Sequence, residues 1–487
     1  MKIKFAKIAV VISVITWISL LFLSQEGATQ QVRALSLQIQ NEINSILSSD
    51  ILNGAIFGIE VRDLDSNTIL YAKSADRLLV PASNMKIITA SAALDILKPE
   101  YTFKTEVYVD NIRNGIVEGN IYLKGYGDPL LTDENLWTIA RDVTYRGINK
   151  ITGSIVGDDS YFDNKRYGQG WGNIGPEAYN APIGALSLNF NTFVITVVPA
   201  GTVGAPPKVF LMPPDRHLEI TNRAVSIASG SARIRVVDVP NKVNAYEVIG
   251  QVPVGGDITE VRRTVGDPTL YTAGSFEAYL MSWGVSVSGN IAQGPVSSNA
   301  RLLFTYKSPP LYQAVQAMGK FSNNFVSEQI LKTMGAETSP VGKPKIGTAE
   351  NGIRAVEGYL SKLGIASNGY VIVDGSGLSR RNRLSPNTIN TVLVHVYKKL
   401  QYFPEFLASL SIGGVDGTVE ERFTNENLHR RFRAKTGHLT GVNALSGYLQ
   451  TDSGSLLVFS MIFNNFNCTH SNIERIEERI LLSLRRY

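Results

Sequence analysis

The stretch that decides the fold is Pro81-Ala82-Ser83-Asn84-Met85-Lys86-Ile87-Ile88-Thr89-Ala90. Its apolar spacing predicts a loop that enters a buried helix, with Ser83 in the first turn. Because residues three apart share one helical face, we expect Ser83 and Lys86 to lie side by side. A hydroxyl beside an amine is a candidate nucleophile and base if burial or a second cation keeps the amine neutral. The alternative is an N-cap serine followed by a solvated lysine, although this is the only Ser-x-x-Lys in the sequence.

Composition limits the class of protein. A length of 487 residues favours two or three domains, and 44% hydrophobic with 18% charged residues is typical of a folded chain. The net charge of +5 is modest, and no basic stripe interleaved with aromatic residues follows the N-terminus, so we expect no nucleic-acid partner. The single cysteine, Cys468, excludes an internal disulfide, and the five histidines show no metal-ligand spacing. We therefore expect no metal and no cofactor.

The first thirty residues have the pattern of a targeting segment. Lys2, Lys4 and Lys7 precede an uncharged run from Ile8 to Leu23, which is typical of a secretory signal peptide. The run is shorter than the roughly 20 residues that span a membrane, but no clean small-x-small cleavage site follows it. Residues 1–30 are thus predicted to be a signal peptide or an uncleaved N-terminal anchor. In either case we expect an exported protein, in the periplasm or on the extracytoplasmic face of the membrane, with no membrane contact except through an uncleaved leader.

The pattern of strands and helices suggests nested domains. Residues 31–101 and 295–487 carry helical patterns at both ends around strands, which predicts one α/β domain with a sheet between helical layers. Residues 102–190 and 259–294 are predicted to form an inserted domain II. Residues 191–258, almost wholly short β segments and turns, are predicted to be a β-rich domain III nested within domain II. The alternative is an independent middle domain in series.

Two further motifs follow in order. Ser322-x-Asn324 lies between two predicted helices, and Lys435-Thr436-Gly437, which occurs once, precedes a predicted hairpin. With Ser83-x-x-Lys86 these make the triple that is typical of penicillin-binding proteins and serine β-lactamases. No Gly-x-Ser-x-Gly elbow occurs, so an α/β-hydrolase arrangement has no nucleophile here.

Beyond these motifs, the sequence resembles the low-molecular-mass class C penicillin-binding proteins, which are D-alanyl-D-alanine carboxypeptidase/endopeptidases. The resemblance covers nearly everything past the leader, including a large insertion between the first two motifs. It implies an α/β serine β-lactamase/DD-peptidase-like transpeptidase domain, with a central antiparallel sheet, helices on both sides and a large, mostly β insertion. The segments that carry it are Gly127-Asp128-Pro129, Asp158-Asp159-Ser160-Tyr161-Phe162, Tyr179-Asn180-Ala181-Pro182, Asp374-Gly375-Ser376-Gly377-Leu378-Ser379-Arg380 and Asp416-Gly417-Thr418.

The resemblance also implies catalytic roles. Ser83 would attack the carbonyl between two terminal D-alanines and form an acyl-enzyme, with Lys86 as its base and a Lys435 cation favouring the neutral amine. Ser322 would relay a proton to the leaving amine, and Asn324 would hold the substrate amide and Lys86.

Substrate-binding roles follow from the same resemblance. Lys435 and Thr436, in the motif Lys435-Thr436-Gly437, would bind the terminal carboxylate. The backbone N–H groups of Ser83 and His438 would form an oxyanion hole. One donor of such a hole typically stabilises the transition state by about 3 kcal/mol. His438 departs from the serine or threonine usual at that position. Asp158, Phe162 and Arg380 would line a pocket for the diamino-acid side chain of the peptide.

The predicted function is a serine-type D-alanyl-D-alanine carboxypeptidase, possibly also a DD-endopeptidase. Its expected partners are peptidoglycan stem peptides ending in D-Ala-D-Ala and β-lactam antibiotics. A serine β-lactamase is one alternative, but the sequence offers no dedicated carboxylate for fast deacylation. A non-catalytic peptidoglycan-binding scaffold is the other, and the intact Ser83, Lys86 and Lys435 argue against it.

Overall fold

The computed structural model describes residues 35–172, 175–423 and 427–487. The predicted leader, residues 1–30, lies outside the described residues. Within these ranges, no helix has the length and apolar character needed to cross a membrane.

The helices of the described residues, in chain order, are α1 (35–47), α2 (Met85–Ile96), α3 (Asp133–Tyr145), α4 (Pro268–Ser282), α5 (Leu311–Lys320), α6 (Asn324–Glu337), α7 (Ala349–Lys362), α8 (Pro386–Tyr397), α9 (Phe403–Ser409) and α10 (His470–Arg485).

The strands are β1 (Ile56–Asp63), β2 (Ile69–Lys73), β3 (Thr102–Arg113), β4 (Ile116–Gly125), β5 (Lys150–Ile151), β6 (Ile155–Asp158), β7 (Thr192–Val198), β8 (Lys208–Met212), β9 (Glu219–Asn222), β10 (Val225–Ile227), β11 (Arg233–Asp238), β12 (Ala245–Pro253), β13 (Thr259–Thr264), β14 (Ser286–Val287), β15 (Ile291–Gln293), β16 (Arg301–Pro310), β17 (Tyr370–Val371), β18 (Arg383–Leu384), β19 (Ser411–Ile412), β20 (Phe432–Leu439), β21 (Val442–Gln450) and β22 (Leu456–Asn464).

A central antiparallel sheet in the order β19-β20-β21-β22-β1-β2 joins the two ends of the chain. Side chains of a strand alternate between the two faces of its sheet, and β22 shows this directly. Phe459 and Met461 pack with α1 and α10 on one face. Val458 and Ile462 pack on the other face, against a cluster that includes α2, α5, α6 and α8. Since both faces are covered by helices, the expected α/β architecture with a central antiparallel sheet is confirmed.

The chain leaves this sheet after α2 and forms a second sheet in the insertion. Its main path is β14-β5-β4-β3-β16; β6 pairs with β4, and β15 pairs with β6. The predicted turn at Asn114-Gly115 connects β3 to β4, and both residues have positive φ values, 48° and 78°, as a type I′ hairpin requires. The helices α3 and α4 cover this sheet in a core of their own.

Two small sheets form the β-rich middle of the insertion. One has the order β13-β7-β8, and the other has the order β10-β12-β11 with β9 paired to β12. Their buried side chains belong to the same hydrophobic cluster as the larger inserted sheet. β13 also pairs with β7, which carries the β-rich unit past its predicted end at residue 258. The bounds of the three domains thus remain a prediction.

The strand β16 shows why sequence patterns miss some elements. It runs to Pro310, through two consecutive prolines, and pairs with β3 beyond the predicted end of the insertion at Gly294. β16 is the edge strand of its sheet, where a proline leaves no ladder hydrogen bond unmade.

Two segments whose sequence predicts a single strand are each divided in two. The sequence predicts one strand over Ile151–Gly157 and another over Val285–Ile291. In the structure they are interrupted near Gly153 and Gly289. A side chain on Gly289 would collide with the backbone of Gly153, so the two interruptions pack against each other through glycine.

Because the insertion has its own hydrophobic core, we predict that a substitution there can lower the stability of the protein without changing the site around Ser83 and Lys86. Phe193 of β7 is 1% exposed and its ring centroid lies 4.7 Å from that of Tyr246. We expect Phe193→Ala to lower the free energy of unfolding by about 3–5 kcal/mol. We expect it to leave unchanged, at 25 °C, the rate of the acylation by β-lactams that the resemblance implies for Ser83.

Phe210→Ala on β8 is the matched control, because Phe210 is 52% exposed and should change stability by less than about 0.5 kcal/mol. Thermal unfolding and acylation kinetics of both variants are the measurements. A slowed acylation in folded Phe193→Ala protein would show that the β-rich unit shapes the site.

Candidate active site

The turn that carries Ser83 is held in place by two glycines. Ser83 lies in a 3₁₀ turn, Ala82–Asn84, that leads into α2, and Ala82 has φ +46°, which is uncommon for a residue with a side chain. A Cβ on Gly377 would collide with the Ala82 carbonyl, and one on Gly437 would lie 2.7 Å from the Pro81 carbonyl oxygen. The loop after β17 and the strand β20 therefore approach this turn as closely as backbone allows.

Lys86 lies directly beside Ser83, as the helical spacing predicted. Its Nζ is 3.0 Å from the Ser83 Oγ, 2.7 Å from the Asn324 Oδ1 and 2.7 Å from the Ser376 carbonyl oxygen. A neutral amine has two N–H groups and one lone pair. Asn324 and Ser376 offer only acceptor oxygens here, so they take both N–H groups, and the lone pair is left for the Ser83 hydroxyl to donate to.

The electrostatic surroundings favour that neutral form. Lys86 is 1% exposed, and burial lowers its pKa to about 7, although the carboxyl groups of Asp374 and Glu328 act in the opposite direction. The neutral amine is thus populated near pH 7, where a solvated lysine is fully charged.

The second motif lies at the junction of α5 and α6. Ser322 has φ +54°, and its Oγ accepts a hydrogen bond of 2.9 Å from the Lys435 Nζ. Asn324 begins α6, and besides its Lys86 contact its Nδ2 donates to the Tyr179 carbonyl oxygen at 3.1 Å. The Tyr179 segment comes from the insertion, so the insertion reaches the site at this point.

The third motif lies on β20, beside the short edge strand β19. Lys435 is buried, and burial together with the positive charge of Lys86 lowers the pKa of Lys435 well below its usual value. The charged forms of the two amines repel each other, so each disfavours the cationic form of the other. Thr436 donates from its Oγ1 to the Thr418 Oγ1 at 2.8 Å, which connects β20 to the loop after β19.

His438 faces away from these groups. Side chains alternate along β20, so Lys435 and Gly437 face the Ser83 turn while the exposed His438 ring stacks on His470 at the start of α10. The two ring centroids are 3.6 Å apart. The imidazole of His438 is thus on the helical face opposite Ser83, and only its backbone is placed to serve the site. No set of His, Cys, Asp and Glu side chains in the described ranges is arranged to hold a metal ion.

The sequence did not reveal Glu328, which acts on Lys86 indirectly, through the backbone of Gly375 and Ser376. Its Oε1 accepts the N–H groups of Gly375 at 2.9 Å and Ser376 at 2.8 Å, and thereby positions the Ser376 peptide whose carbonyl holds Lys86. Burial and the charge of Asp374 raise the pKa of Glu328 to about 8. The sequence does show an acid one helical turn after Asn324. The structure adds that this helix is buried on every side.

Asp374 organises the glycine-rich loop after β17. It accepts hydrogen bonds of 2.7 Å from the backbone of Gly377 and Ser379 and from the Asn382 Nδ2, and one of 3.1 Å from the Trp171 Nε1. These four donors compensate the buried carboxylate and give the loop one conformation.

The three residues expected to bind a diamino-acid side chain are not all together. Asp158 is fully buried and forms an ion pair of 2.9 Å with Lys124. Burial acts to raise the pKa of Asp158, but hydrogen bonds from Ser160 and Lys124 hold that pKa below its usual value. Asp158 and Phe162 line a cavity of about 230 Å³. Arg380 does not line it, and its exposed guanidinium donates to the Thr440 carbonyl between β20 and β21. Their common role stays a prediction.

The fold and this set of side chains define a class of protein. A Ser–Lys pair at the start of a buried helix, a second serine between two helices and a lysine on a strand at the side of an antiparallel sheet are the arrangement of the penicillin-binding serine acyl-transferases.

Comparison with known proteins identifies the family. The chain belongs to the D-Ala-D-Ala carboxypeptidase 3 (S13) family, whose profile matches residues 39–484. The prediction of a serine-type D-alanyl-D-alanine carboxypeptidase, and the resemblance on which it rested, are confirmed by this membership.

Individual relatives agree with this result. The chain is 35% identical over 444 residues to the D-alanyl-D-alanine carboxypeptidase of Actinomadura sp. (strain R39), covering 88% of this chain and 81% of the relative. It is 26% identical over 428 residues to the D-alanyl-D-alanine carboxypeptidase DacB of Haemophilus influenzae, covering 87% and 88%. The crystal structure of penicillin binding protein 4 (dacB) from Haemophilus influenzae superposes with a TM-score of 0.77 at 25% identity, covering 91% of this chain and 99% of that one.

The contacts of Glu328 predict that its shape matters more than its charge. A carboxyl group with a pKa of about 8 is mainly protonated at pH 7, so glutamine is a close replacement that can still accept both backbone N–H groups. We expect Glu328→Gln to be acylated by a β-lactam within about threefold of the wild-type rate. Glu328→Ala leaves two buried donors unpaired and should be slower by about tenfold or more, because each costs about 1–3 kcal/mol.

Acylation rates at pH 7 and unfolding temperatures of the two variants make the comparison. An equal loss of rate in both would mean that a charged carboxylate is required at this position.

Proposed function

We propose that Ser83 is the nucleophile of this carboxypeptidase and Lys86 its base, acting on peptidoglycan stem peptides that end in D-Ala-D-Ala. The observation that carries the proposal is the set of three contacts of the Lys86 Nζ, because the two carbonyl acceptors leave its lone pair facing the Ser83 hydroxyl. That geometry is within the hydrogen-bond reach that general-base catalysis needs.

Acylation then proceeds in two proton transfers. The Ser83 Oγ bonds to the carbonyl carbon of the penultimate D-alanine while its proton passes to Lys86. The C–N bond breaks, and the leaving amine of the last D-alanine takes up the proton held on Lys86, relayed through Ser322, which is hydrogen-bonded to Lys435. The products are free D-alanine and an ester on Ser83. Water then attacks this ester and gives a proton to neutral Lys86. Lys86 returns that proton to the Ser83 Oγ as the ester C–O bond breaks, which releases the shortened peptide and restores Ser83.

The substrate carboxylate gives Lys435 its role. In the free protein Lys435 is buried next to Lys86, where its cationic form is disfavoured. An incoming carboxylate favours that form, because an opposite charge within about 4–6 Å raises the pKa of an amine. Thr436, whose hydroxyl donates to Thr418, is the second residue of this motif that we assign to carboxylate binding. The backbone N–H groups of Ser83 and His438 complete this proposal as the oxyanion hole.

The site supports the two alternatives less well. A serine β-lactamase needs a carboxylate that activates water against the ester, and the buried Glu328 is already engaged by the backbone of Gly375 and Ser376. A non-catalytic scaffold has no use for a lysine that is buried in contact with a serine hydroxyl, since burial disfavours its charge. Acylation by β-lactams belongs to the proposal, because their carbonyl would meet the same nucleophile.

The place of action is part of the proposal as well. A substrate in the cell wall requires an exported protein, in the periplasm or on the extracytoplasmic face of the membrane. The basic and apolar segment of residues 1–30 in the sequence supports export.

Labelling with a fluorescent penicillin tests the nucleophile. We expect Ser83→Ala to lose covalent labelling completely while keeping the wild-type unfolding temperature within a few degrees, because Ser83 is only half buried. Ser91→Ala on the same helix is the control; Ser91 is buried and bonds to the Ile88 carbonyl, so its loss should leave labelling intact. Peptide mapping of the labelled wild type should find the adduct on Ser83, and an adduct elsewhere would refute the assignment.

The pKa of Lys86 predicts the pH dependence of acylation. The base must be neutral, and the neutral fraction rises as the pH rises through about 7, so the acylation rate should increase between pH 5.5 and 8.5 with an apparent pKa near 7. Lys86→Arg places a permanent cation there, because guanidinium keeps its proton, and should lower the rate by about 100- to 10,000-fold at every pH.

Lys435→Arg is the matched variant. It puts a permanent cation beside Lys86, which lowers the pKa of Lys86, so the rise in rate should move to lower pH while measurable acylation remains. Stopped-flow acylation with one β-lactam across the pH range measures all three proteins. Equal rates in the two arginine variants would show that Lys86 is not the base.

A further inference from the structure

Two histidine rings stack on each other at the end of the strand that carries the third motif. The ring centroids of His438, at the end of β20, and His470, at the start of α10, lie 3.6 Å apart, and 24° separates the two ring planes. The backbone N–H of His438 is assigned above to the oxyanion hole, while its imidazole takes no part in the proposed reaction. The stack therefore connects α10 to the residue of β20 that would stabilise the developing negative charge.

The ring of His470 also holds the neighbouring strand at the same level. Asn443 of β21 lies directly opposite His438 in the antiparallel pair, and the side chains of opposite residues lie on the same face. The Asn443 Oδ1 is 3.2 Å from the His470 Nδ1. β19 pairs with β20 at Arg433 and Ala434, so the end of β20 at His438 has β21 as its strand neighbour in the described sheet. One imidazole from α10 thus contacts both members of the rung that fixes this end.

A buried ion pair determines which nitrogen of His470 carries a hydrogen. The fully buried Glu477 of α10 accepts hydrogen bonds from the Arg422 Nη2 at 2.7 Å and from the Asn443 Nδ2 at 3.0 Å. Because the Asn443 Nδ2 donates to Glu477, its Oδ1 faces His470 as an acceptor, and the His470 Nδ1 is the donor. The proton that charges this ring is therefore taken up at Nε2. The orientation of the ring is set before any substrate binds.

The surroundings of the stack disfavour a second positive charge. Burial and the charge of His438 lower the pKa of His470, whereas Glu474 acts in the opposite direction. His470 also begins α10, where the helix dipole disfavours a cation. Glu474 and Glu477 of α10 are both ion-paired with Arg422, from the loop after β19. Two imidazolium rings in contact repel each other even in water, so the stack is compatible with one positive charge but not with two.

We propose that His470 is a positioning residue for the proposed oxyanion hole, and that it holds the backbone of His438 in place only while the two stacked imidazoles carry no more than one positive charge. The inference rests on the proposed function, because it uses the assignment of the His438 N–H. When both rings are charged, the stack separates and the end of β20 loses its contact with α10. Because the pKa of His470 is lowered, the contact is present at neutral pH and is lost as the pH falls through that lowered value.

The pH profile of acylation by one β-lactam tests the inference with the full-length protein. For the wild type, the logarithm of the rate should fall with a slope of about one below about pH 7, where Lys86 gains its proton, and with a slope near about two below about pH 5.5. His470→Phe keeps a ring that can stack but cannot be protonated. It should keep the slope of about one down to about pH 4.5, so its ratio of rates at about pH 5 and pH 8 should exceed the wild-type ratio by about fivefold.

Two further variants make the test independent of one substitution. His470→Gln is uncharged but has no ring to stack on His438, so it should be slower at every pH and should also lack the second slope. His395→Phe on α8 is the control, because His395 is another partly buried histidine whose pKa burial lowers, and it should leave the wild-type profile unchanged. Far-UV circular dichroism at each pH identifies the proteins that remain folded.

NMR titration of the histidine ring signals gives a readout that does not depend on activity. In His438→Phe, the ring of His470 keeps a stacking partner but loses the cationic neighbour. We expect His470 to titrate about one pH unit higher in this variant than in the wild type.

The outcomes separate this inference from the proposed function. A slope of one throughout the wild-type profile, a second slope retained in folded His470→Phe and His470→Gln, or an unchanged titration of His470 in His438→Phe would overturn the inference while Ser83 and Lys86 keep their roles. A loss of rate by the same factor at every pH in the His470 variants, with the second slope retained, would show that His470 only supports the fold. A wild-type protein that no β-lactam acylates at any pH would overturn the proposed function as well.

Discussion

The site depends on a single buried amine. The Lys86 Nζ is removed from water and surrounded by a serine hydroxyl and two oxygen acceptors within 3.0 Å, so its neutral form is the one that the surroundings satisfy. A fully charged ammonium would carry a third proton toward Ser83, where it opposes removal of the hydroxyl proton. The identity of the two acceptors therefore matters as much as burial, because they determine the direction in which the lone pair points.

Much of the molecule maintains this arrangement. One acceptor, Asn324, comes from α6 and also binds the backbone of the insertion at Tyr179. The other, the Ser376 carbonyl, is held by Glu328 from α6 and by the loop that Asp374 organises. The cost of burying these two carboxyl groups is offset by backbone N–H donors, and the charge of Asp374 opposes the effect of burial on the pKa of Lys86. The pKa of Lys86, the proposed base, is thus the balance of several large and opposing effects.

The insertion has a different physical basis. Its sheets share one hydrophobic cluster that is separate from the cores on the two faces of the central sheet. It reaches the active site through few contacts, chiefly Tyr179 with Asn324 and Trp171 with Asp374. A large unit of this kind can shape access to a cleft while its own core remains independent of the chemistry.

Local patterns were sufficient to predict the pairing of Ser83 with Lys86, the turn at Asn114-Gly115 and the alternation of β22, because each depends on residues close in the chain and on a fixed helical or strand period. The order of three short motifs was sufficient to indicate the class. A helical or strand period does not encode which groups meet across the fold. The two hydrogen-bond acceptors of Lys86, on Asn324 and Ser376, lie 238 and 290 residues away in the chain. The contacts of Glu328, the packing of the Ala82 backbone against Gly377, and the stack of His438 on His470 likewise exist only when distant segments are brought together. Side-chain periodicity specifies which face a residue occupies, and only packing decides what lies opposite it.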